Sequence, residues 1–375
     1  MAITGPQPNA WMTALPSYEP GRPLEEVARE AGLADISEMV KLASNENALG
    51  PSPRAVDAMQ QAAHRMHLYP DGGAFYLRAA LAEHLSVPSD HILPGNGSNE
   101  LIELLGHVFL NDQAGIVMSE YAFVIYKLVA MLFNAETVTA PAHALGHDLD
   151  AMRAAITPQT KLVFIANPNN PTGTEVDHAA LDGFIKSVPD NVLVVLDEAY
   201  VDLVPPAERP DTLQYVRAGR PVCLLRTFSK GYGLAGLRIG YAIGAPDLIQ
   251  CLNRARQPFN VNYMAQSAAL AALEDDDHLV ATRQMVAEGL AQITQGLQAM
   301  GVEYVPSRVN FLLVRVGHGR RVFEELQREQ VIVRPMDGYG LPEYVRVTVG
   351  THAENERFLA ALAKVQSIEP APVSA

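Results

Sequence analysis

The sequence predicts an α/β protein with a mostly parallel central sheet, helices on both faces of that sheet, and a smaller α/β unit. Short apolar runs alternate with helical patterns between about residues 95 and 273. This alternation is typical of β–α units whose strands pair in parallel. The predicted strands of this sheet lie near 114–118, 135–139, 161–166, 192–196, 221–226 and 238–243.

The smaller unit is predicted from the carboxyl-terminal part of the chain. One long helical pattern runs from His278 to about Met300, with apolar residues at helical spacing. The strands predicted after it lie at 302–305, 310–316, 331–334 and 344–349, and the helices at 320–329 and 353–365. A chain of 375 residues is long enough for about two domains. The last residues, 368–375, include two prolines and are expected to be disordered.

Composition excludes several classes of protein. The formal net charge is -14 at pH 7, which argues against nucleic-acid binding and requires local arginines to attract an anionic substrate. The two cysteines, Cys223 and Cys251, lack metal or redox spacing, which predicts a reduced, cytoplasmic protein without a metal site. Neither a signal peptide nor an apolar run of membrane-spanning length is evident.

Lys230 is the strongest candidate for covalent chemistry. It follows an apolar run and lies in Thr227-Phe228-Ser229-Lys230-Gly231. Taken alone, it would be interpreted as a solvated loop lysine. An amine that ends a strand among hydroxyl and backbone donors can, however, hold a phosphorylated aldehyde covalently. Such an arrangement is what an enzyme dependent on pyridoxal phosphate (PLP) needs.

The glycines beside Lys230 allow a second interpretation. Gly231, Gly233 and Gly236 satisfy the G-x-G-x-x-G pattern of a dinucleotide site. That pattern requires an acidic residue about twenty positions further on, and residues 253–257 contain none. The glycines also lead into a predicted strand rather than a helix, so a dinucleotide site is disfavoured.

Three further loops favour a PLP site. Asn170 lies in a proline-punctuated loop after the strand at 161–166, and Asp197 follows an all-apolar strand. Small residues at 94–100 precede a helical run and form a candidate phosphate cup. The alternatives are a turn asparagine, an N-cap aspartate and an ordinary capping box. All of these loops lie at or near the carboxyl ends of predicted strands, where ligands of parallel sheets bind.

Six segments in order resemble one family over nearly the whole chain. They are Ala43–Asn47 with 50–53, Tyr69–Asp71, Ala166–Gly173, Asp197–Tyr200, the Lys230 segment at 224–241, and Arg346–Thr351. Together they resemble the fold-type I aminotransferases of the aspartate aminotransferase superfamily, and within it the histidinol-phosphate aminotransferase family. The resemblance implies PLP as cofactor and a homodimer with a shared active site. It also implies L-histidinol phosphate and glutamate or 2-oxoglutarate as substrates.

The resemblance also assigns domains and roles. It implies a large PLP-binding domain at 50–275 and a discontinuous small domain at 1–49 with 276–367. Lys230 would be the catalytic residue, bonded to the cofactor and then moving the substrate proton. The implied cofactor-binding residues are Gly97, Ser98, Asn99, Phe123, Asn170, Asp197, Tyr200, Thr227, Ser229, Lys230 and Arg238. The implied substrate-binding residues are Tyr18, Asn45, Tyr69, Arg334 and Arg346.

Some roles stay open at this level. Phe123 falls where the family stacks an aromatic ring on the cofactor, but Tyr126 could compete for that position. Arg346 would clamp a carboxylate, and Arg334 would add a contact for the substrate phosphate. An aromatic amino-acid aminotransferase would leave Arg334 unused. A decarboxylase of a phosphorylated amino acid, or a PLP-fold binding protein without turnover, are further alternatives.

Overall fold

The computed structural model describes residues 5–16, Arg29 and 39–366; Tyr18 and the tail at 368–375 lie outside them. The described strands are β1 (Val40–Lys41), β2 (Ile92–Gly95), β3 (Gly115–Ser119), β4 (Glu136–Ala140), β5 (Ala142–His143), β6 (Gly146–His147), β7 (Thr160–Ala166), β8 (Leu193–Asp197), β9 (Val222–Thr227), β10 (Gly240–Ile243), β11 (Tyr304–Val305), β12 (Phe311–Arg315), β13 (Val331–Ile332), β14 (Arg334–Pro335) and β15 (Tyr344–Thr348).

The α-helices connect and cover these strands. Those described are α1 (Pro53–Ala63), α2 (Phe75–Leu85), α3 (Ser98–Phe109), α4 (Val124–Leu132), α5 (Leu149–Ala154), α6 (His178–Ser187), α7 (Leu213–Arg217), α8 (Pro246–Ala255), α9 (Tyr263–Leu273), α10 (Asp276–Ala299), α11 (Gly319–Arg328) and α12 (His352–Gln366). Among the helices within these described ranges, none is long and apolar enough to cross a membrane.

The larger unit is built on a seven-stranded sheet. Its strand order is β2-β10-β9-β8-β7-β3-β4, and only β10 runs antiparallel to its neighbours. The central strands β8 and β9 are buried along their whole length, since helices cover both faces of a parallel sheet. The predicted fold class is therefore confirmed, with strand bounds within about two residues of the predicted ones.

Strand β2 was not predicted. Its four residues include Pro94 and Gly95, which are both depleted in strands. Proline is tolerated here because β2 lies at the edge of the sheet, where a missing N–H removes no ladder bond on the open side. The strand brings the 95–99 loop to the same sheet edge as the loops after β8 and β9.

The smaller unit has its own sheet and core. Strands β11, β12, β15 and β14 pair in that order, all antiparallel, and β1 pairs in parallel with β13. The predicted strand at 331–334 is divided, because β13 pairs with β1 whereas β14 pairs with β15. One face of the sheet packs Leu312, Val345 and Val347 into a core with Phe358.

The two units are discontinuous in sequence. Of the described residues, 5–16, 51–170 and 174–276 form the larger unit, and Arg29, 39–50, 171–173 and 277–366 form the smaller one. Residues 5–16 had been assigned to the small domain. They belong instead to the larger unit, where the indole N–H of Trp11 donates to the Leu132 carbonyl at 3.2 Å. The assignment of a PLP-binding role to the larger unit remains a prediction.

Candidate active site

One edge of the large sheet gathers most of the predicted cofactor-binding residues. Asp197 ends β8 and Thr227 ends β9, while Asn170 follows β7 and Gly97 follows β2 within a few residues. The Lys230 amine lies 5.7 Å from the centroid of the Tyr200 ring. Residues up to about 130 positions apart in sequence therefore meet at one place, as the order of the strands predicts.

A cup of donors forms where α3 begins. Gly97 is the residue before the helix, with φ +79° and no side-chain cap. A Cβ at this position would lie 2.5 Å from Nη2 of Arg238 and would displace the guanidinium, while the positive φ itself favours glycine. Gly240 also leaves room for the start of α3, because a Cβ added there would lie 2.8 Å from the Ser98 backbone nitrogen. Helix α3 thus directs its first N–H groups and positive dipole end into this cup.

Hydroxyl groups beside the cup complete the donor set. The Ser229 N–H donates to Thr227 Oγ1 at 3.1 Å, and the Thr227 hydroxyl donates to Ser229 Oγ at 3.0 Å. Nη1 of Arg238 lies 3.5 Å from Ser229 Oγ and also donates to the Ala235 carbonyl. A helix N-terminus, a guanidinium and hydroxyls together fit a phosphate dianion.

The acid predicted as a capping-box alternative is also present. The carboxylate of Glu100 accepts the Asn96 N–H at 2.5 Å and the Asn260 side-chain amide at 2.6 Å. It therefore fixes the loop just before Gly97 without occupying the cup. Glu100 was not among the predicted site residues, although its position in the first turn of a helix was the available signal.

Asp197 is held as a buried acceptor. Its side chain is 5% exposed, and burial raises the pKa of its carboxyl, while hydrogen bonds and the charge of Lys230 oppose that shift. Oδ2 accepts the Tyr126 hydroxyl at 2.6 Å, and Oδ1 accepts the Ala199 N–H at 3.1 Å. A buried carboxylate of this kind suits a cationic ring N–H as its remaining partner.

Phe123 and Tyr126 have different surroundings in the structure. The Tyr126 ring is fully buried and stacks on Phe164, with centroids 4.4 Å apart and planes at 9°. Its face and its hydroxyl are both engaged inside the protein. Phe123 is partly exposed and meets Tyr126 edge-on at 5.8 Å. Phe123 thus keeps the stacking role as a prediction, and Tyr126 has a different one, which the sequence did not reveal.

The Asn170 loop is fixed by its neighbours. Asn169 donates its side-chain amide to the Tyr121 carbonyl at 2.7 Å, and its N–H donates to the Thr174 carbonyl at 2.8 Å. His147 also supports the end of β7, because its Nε2 lies 2.9 Å from the Ala166 carbonyl and must donate there. Burial lowers the pKa of His147 to about 4. These supporting residues were missed, since neither spacing nor composition distinguishes them.

A buried ion pair joins the chain neighbours of Thr227 and Asp197. Arg226 precedes Thr227 and donates through Nε to Glu198 at 2.8 Å, while Glu198 follows Asp197. Glu198 also accepts the Thr212 hydroxyl at 2.5 Å. The pair links the ends of β8 and β9, which lead into the Asp197 and Lys230 segments.

Two arginines of the smaller unit are direct cross-strand neighbours. Arg334 in β14 is paired with Arg346 in β15, so both side chains leave the same face of the sheet, opposite to the core residue Val345. Arg346 is buried, donates to the Ala43 carbonyl at 2.8 Å, and lies 5.4 Å from the Phe311 ring centroid. Like charges directly opposite one another are unfavourable, so an anion bound at this face would offset their repulsion.

The remaining residues predicted to bind substrate lie in different parts of the chain, and their roles stay predictions. Asn45 is buried with φ 55°, and its N–H donates to Thr348 Oγ1 at 2.9 Å in the smaller unit. Tyr69 is 82% exposed and stacks on Phe259 at 4.7 Å in the larger unit. It therefore points away from the core of its own chain. Tyr18 lies outside the described residues.

The fold and this constellation define a class of enzyme. The sequence profile of the class I and II aminotransferases matches residues 37–362, and the chain belongs to that family. It is an aminotransferase, as the resemblance implied.

Within the family, the chain is similar to histidinol-phosphate aminotransferases. That of Moorella thermoacetica is 47% identical over 364 residues, covering 96% of this chain and 94% of the relative. That of Akkermansia muciniphila is 49% identical, with 95% and 98% covered. The crystal structure of the Sinorhizobium meliloti enzyme, in complex with pyridoxal-5'-phosphate, superposes with a TM-score of 0.87 at 28% identity and covers 95% and 96% of the two chains.

Proposed function

We propose that this aminotransferase converts L-histidinol phosphate and 2-oxoglutarate into imidazole-acetol phosphate and glutamate, a step of histidine biosynthesis, with PLP as cofactor. The observation that carries this proposal is the Arg334–Arg346 cross-strand pair, because this reaction handles both a phosphate ester and carboxylates. The proposal is supported by the names of the relatives that match over nearly the whole chain.

The donor set of the larger unit fits PLP. The cup formed by Gly97, Ser98, Asn99, Ser229 and Arg238 would hold its phosphate, with Thr227 supporting Ser229. Asp197 would accept the ring N–H, Phe123 would cover the ring face, and Asn170 and Tyr200 would bond the ring hydroxyl oxygen. When bound, PLP supplies an electron sink that stabilises negative charge on the substrate carbon.

Lys230 would carry the proton transfer. Lys230 follows the end of β9 by three residues, and its amine lies beside the Tyr200 ring. From there it would hold the cofactor covalently and, when its amine is free, take the proton from the substrate carbon as general base and give it back as general acid. A positioned base of this kind contributes about 10²- to 10⁴-fold in rate.

The arginines would select the substrates. A planar guanidinium matches a phosphate and a carboxylate equally well. Arg346, which is held from two sides by Ala43 and Phe311, would bind glutamate's α-carboxylate and take part in binding the phosphate ester. Arg334 would add the second prong that a phosphate dianion needs, with Asn45 shaping the neighbouring loop.

We also propose a homodimer in which Tyr69 and Tyr18 contribute to substrate binding, with Tyr69 reaching the partner's site. Large apolar side chains are exposed together in the larger unit: Met66, Leu68, Tyr69, Phe75, Tyr76 and Phe259, between 44% and 82% each. Exposed aromatic groups of this size mark interfaces. Two free cysteines support a reducing, cytoplasmic location.

Replacing Arg334 tests the substrate assignment. Arg334→Ala should lower kcat/KM for histidinol phosphate by about 10- to 100-fold, the usual effect of one charged hydrogen bond, and that for an unphosphorylated aromatic amine donor by less than about threefold. Arg346→Ala is the matched comparison and should impair both half-reactions. Equal losses for both donors in Arg334→Ala would favour an aromatic amino-acid aminotransferase instead.

A further inference from the structure

We infer that Tyr126 is a positioning residue, which donates its hydroxyl to Asp197 and fixes that carboxylate for the cofactor's ring nitrogen. The inference rests on the proposed PLP-dependent function. Tyr126 would touch neither substrate nor cofactor, and its effect would be transmitted through Asp197.

The hydrogen bonds leave Asp197 a single orientation. Its Oδ2 accepts from Tyr126 at 2.6 Å, and its Oδ1 accepts from the Ala199 N–H at 3.1 Å. With one partner on each oxygen, rotation of the carboxylate breaks at least one bond. The free lone pairs therefore face one fixed direction, as a directed ring N–H requires.

Tyr126 is itself prevented from moving. It lies in the first turn of α4 and is fully buried. Its ring is stacked on Phe164 of β7, which is likewise buried, and Phe123 meets it edge-on at 5.8 Å. One side chain therefore contacts both the carboxylate proposed for the ring nitrogen and the phenyl ring proposed for the ring face.

The charges around Asp197 explain why a neutral donor is useful there. Lys230 favours the carboxylate, whereas Glu198 opposes it, and Glu198 is paired with Arg226. Burial is the largest influence and raises the pKa of Asp197. The hydroxyl of Tyr126 offsets part of that effect. Without it, Asp197 would take up its proton at higher pH, and a neutral carboxyl no longer pairs with a cationic ring.

The test measures cofactor binding rather than turnover. The PLP dissociation constant of the cofactor-free protein would be determined from pH 5 to 9 for wild type and Tyr126→Phe, which keeps the ring and its stacking. We expect affinity to be about 10-fold or more weaker in the variant, and the acid-side midpoint of binding to move to higher pH. Tyr215→Phe is the matched control, since Tyr215 donates to Asp182 at 3.2 Å in the same unit, and it should change neither quantity.

A double-mutant cycle separates action through Asp197 from general packing. If Tyr126 acts through Asp197, Tyr126→Phe should have little further effect on PLP affinity in an Asp197→Asn background. The inference is wrong if Tyr126→Phe leaves the acid-side pH midpoint of PLP binding unchanged and if the losses of PLP affinity in the two single variants add fully in the double variant. Wild-type protein that fails to bind PLP at all would instead overturn the proposed function, so the two failures are distinguishable.

Discussion

At the scale of single residues, the site depends on groups that are costly in the protein without its cofactor. Asp197 is the clearest case, because burial raises its pKa and the ionised form is therefore disfavoured in the folded state. Lys230 lies close enough to offset part of this cost. Functional sites commonly retain such perturbed groups, since ligand binding rather than folding satisfies them.

This cost predicts a pH dependence of stability. A carboxyl whose folded pKa exceeds its unfolded value, about 3.9, destabilises the protein above its folded pKa, and this destabilisation declines as the pH falls from the folded value to the unfolded one. The free energy of unfolding of cofactor-free wild type should therefore increase relative to Asp197→Asn as the pH is lowered from about 8 to about 4, close to the unfolded value. Chemical denaturation at both pH values measures this difference. If the free energy of unfolding of wild type relative to Asp197→Asn stays constant or decreases as the pH is lowered, the folded state does not raise the pKa of Asp197.

Sequence patterns predicted some residues of the candidate site and not others. Lys230, Asp197 and Asn170 were predictable because each ends or follows a continuous apolar strand, and strand ends of a parallel sheet converge. From the sequence, Tyr126 is a candidate only for the cofactor-stacking position that Phe123 also fits. Its hydroxyl partner lies 71 residues away, and nothing in the spacing on a helix indicates which buried carboxylate it will meet.

At the scale of elements, the loop from β2 to α3 is built around glycine. Gly97 combines positive φ with an approach of Arg238 that leaves no space for a Cβ. Strand β2, which carries this loop, was missed because Pro94 and Gly95 are poor strand formers. In the smaller unit, the change of partner between β13 and β14 was likewise not predictable, because it depends on where β1 and β15 lie.

Alanine at Gly97 tests the cup. Gly97→Ala should cost about 1–3 kcal/mol of stability through the unfavourable φ and should weaken PLP binding about 10-fold or more by displacing Arg238. Gly183→Ala in α6 is the matched control, since a Cβ there meets nothing within 4 Å and φ is not positive. It should leave PLP affinity unchanged and stabilise the protein by about 0.4–1 kcal/mol. Equal PLP affinity in both variants would remove Gly97 from the cofactor site.

At the scale of the whole molecule, the proposed dimer follows from the exposure of Tyr69 and its apolar neighbours. A residue that reaches the partner's site can be complemented by a different subunit. Tyr69→Ala and Lys230→Ala proteins, each of low activity alone, should regain activity when unfolded together and refolded as a mixture. When the two variants pair at random, half of the dimers are heterodimers. Each heterodimer has one intact site of two, because a two-fold dimer has two equivalent sites. The mixture should therefore regain about a quarter of wild-type activity. No recovery would place Tyr69 in its own chain's site or outside any site.

The choice of amine donor tests the central claim most directly. With 2-oxoglutarate as acceptor, kcat/KM for glutamate formation would be compared for histidinol phosphate, phenylalanine and aspartate. The paired arginines Arg334 and Arg346 predict that histidinol phosphate exceeds the other two donors by about 10- to 100-fold, the value of one charged contact to its phosphate. Efficient use of phenylalanine with little use of histidinol phosphate would contradict the proposed function, even if PLP binding and Lys230 behave as described.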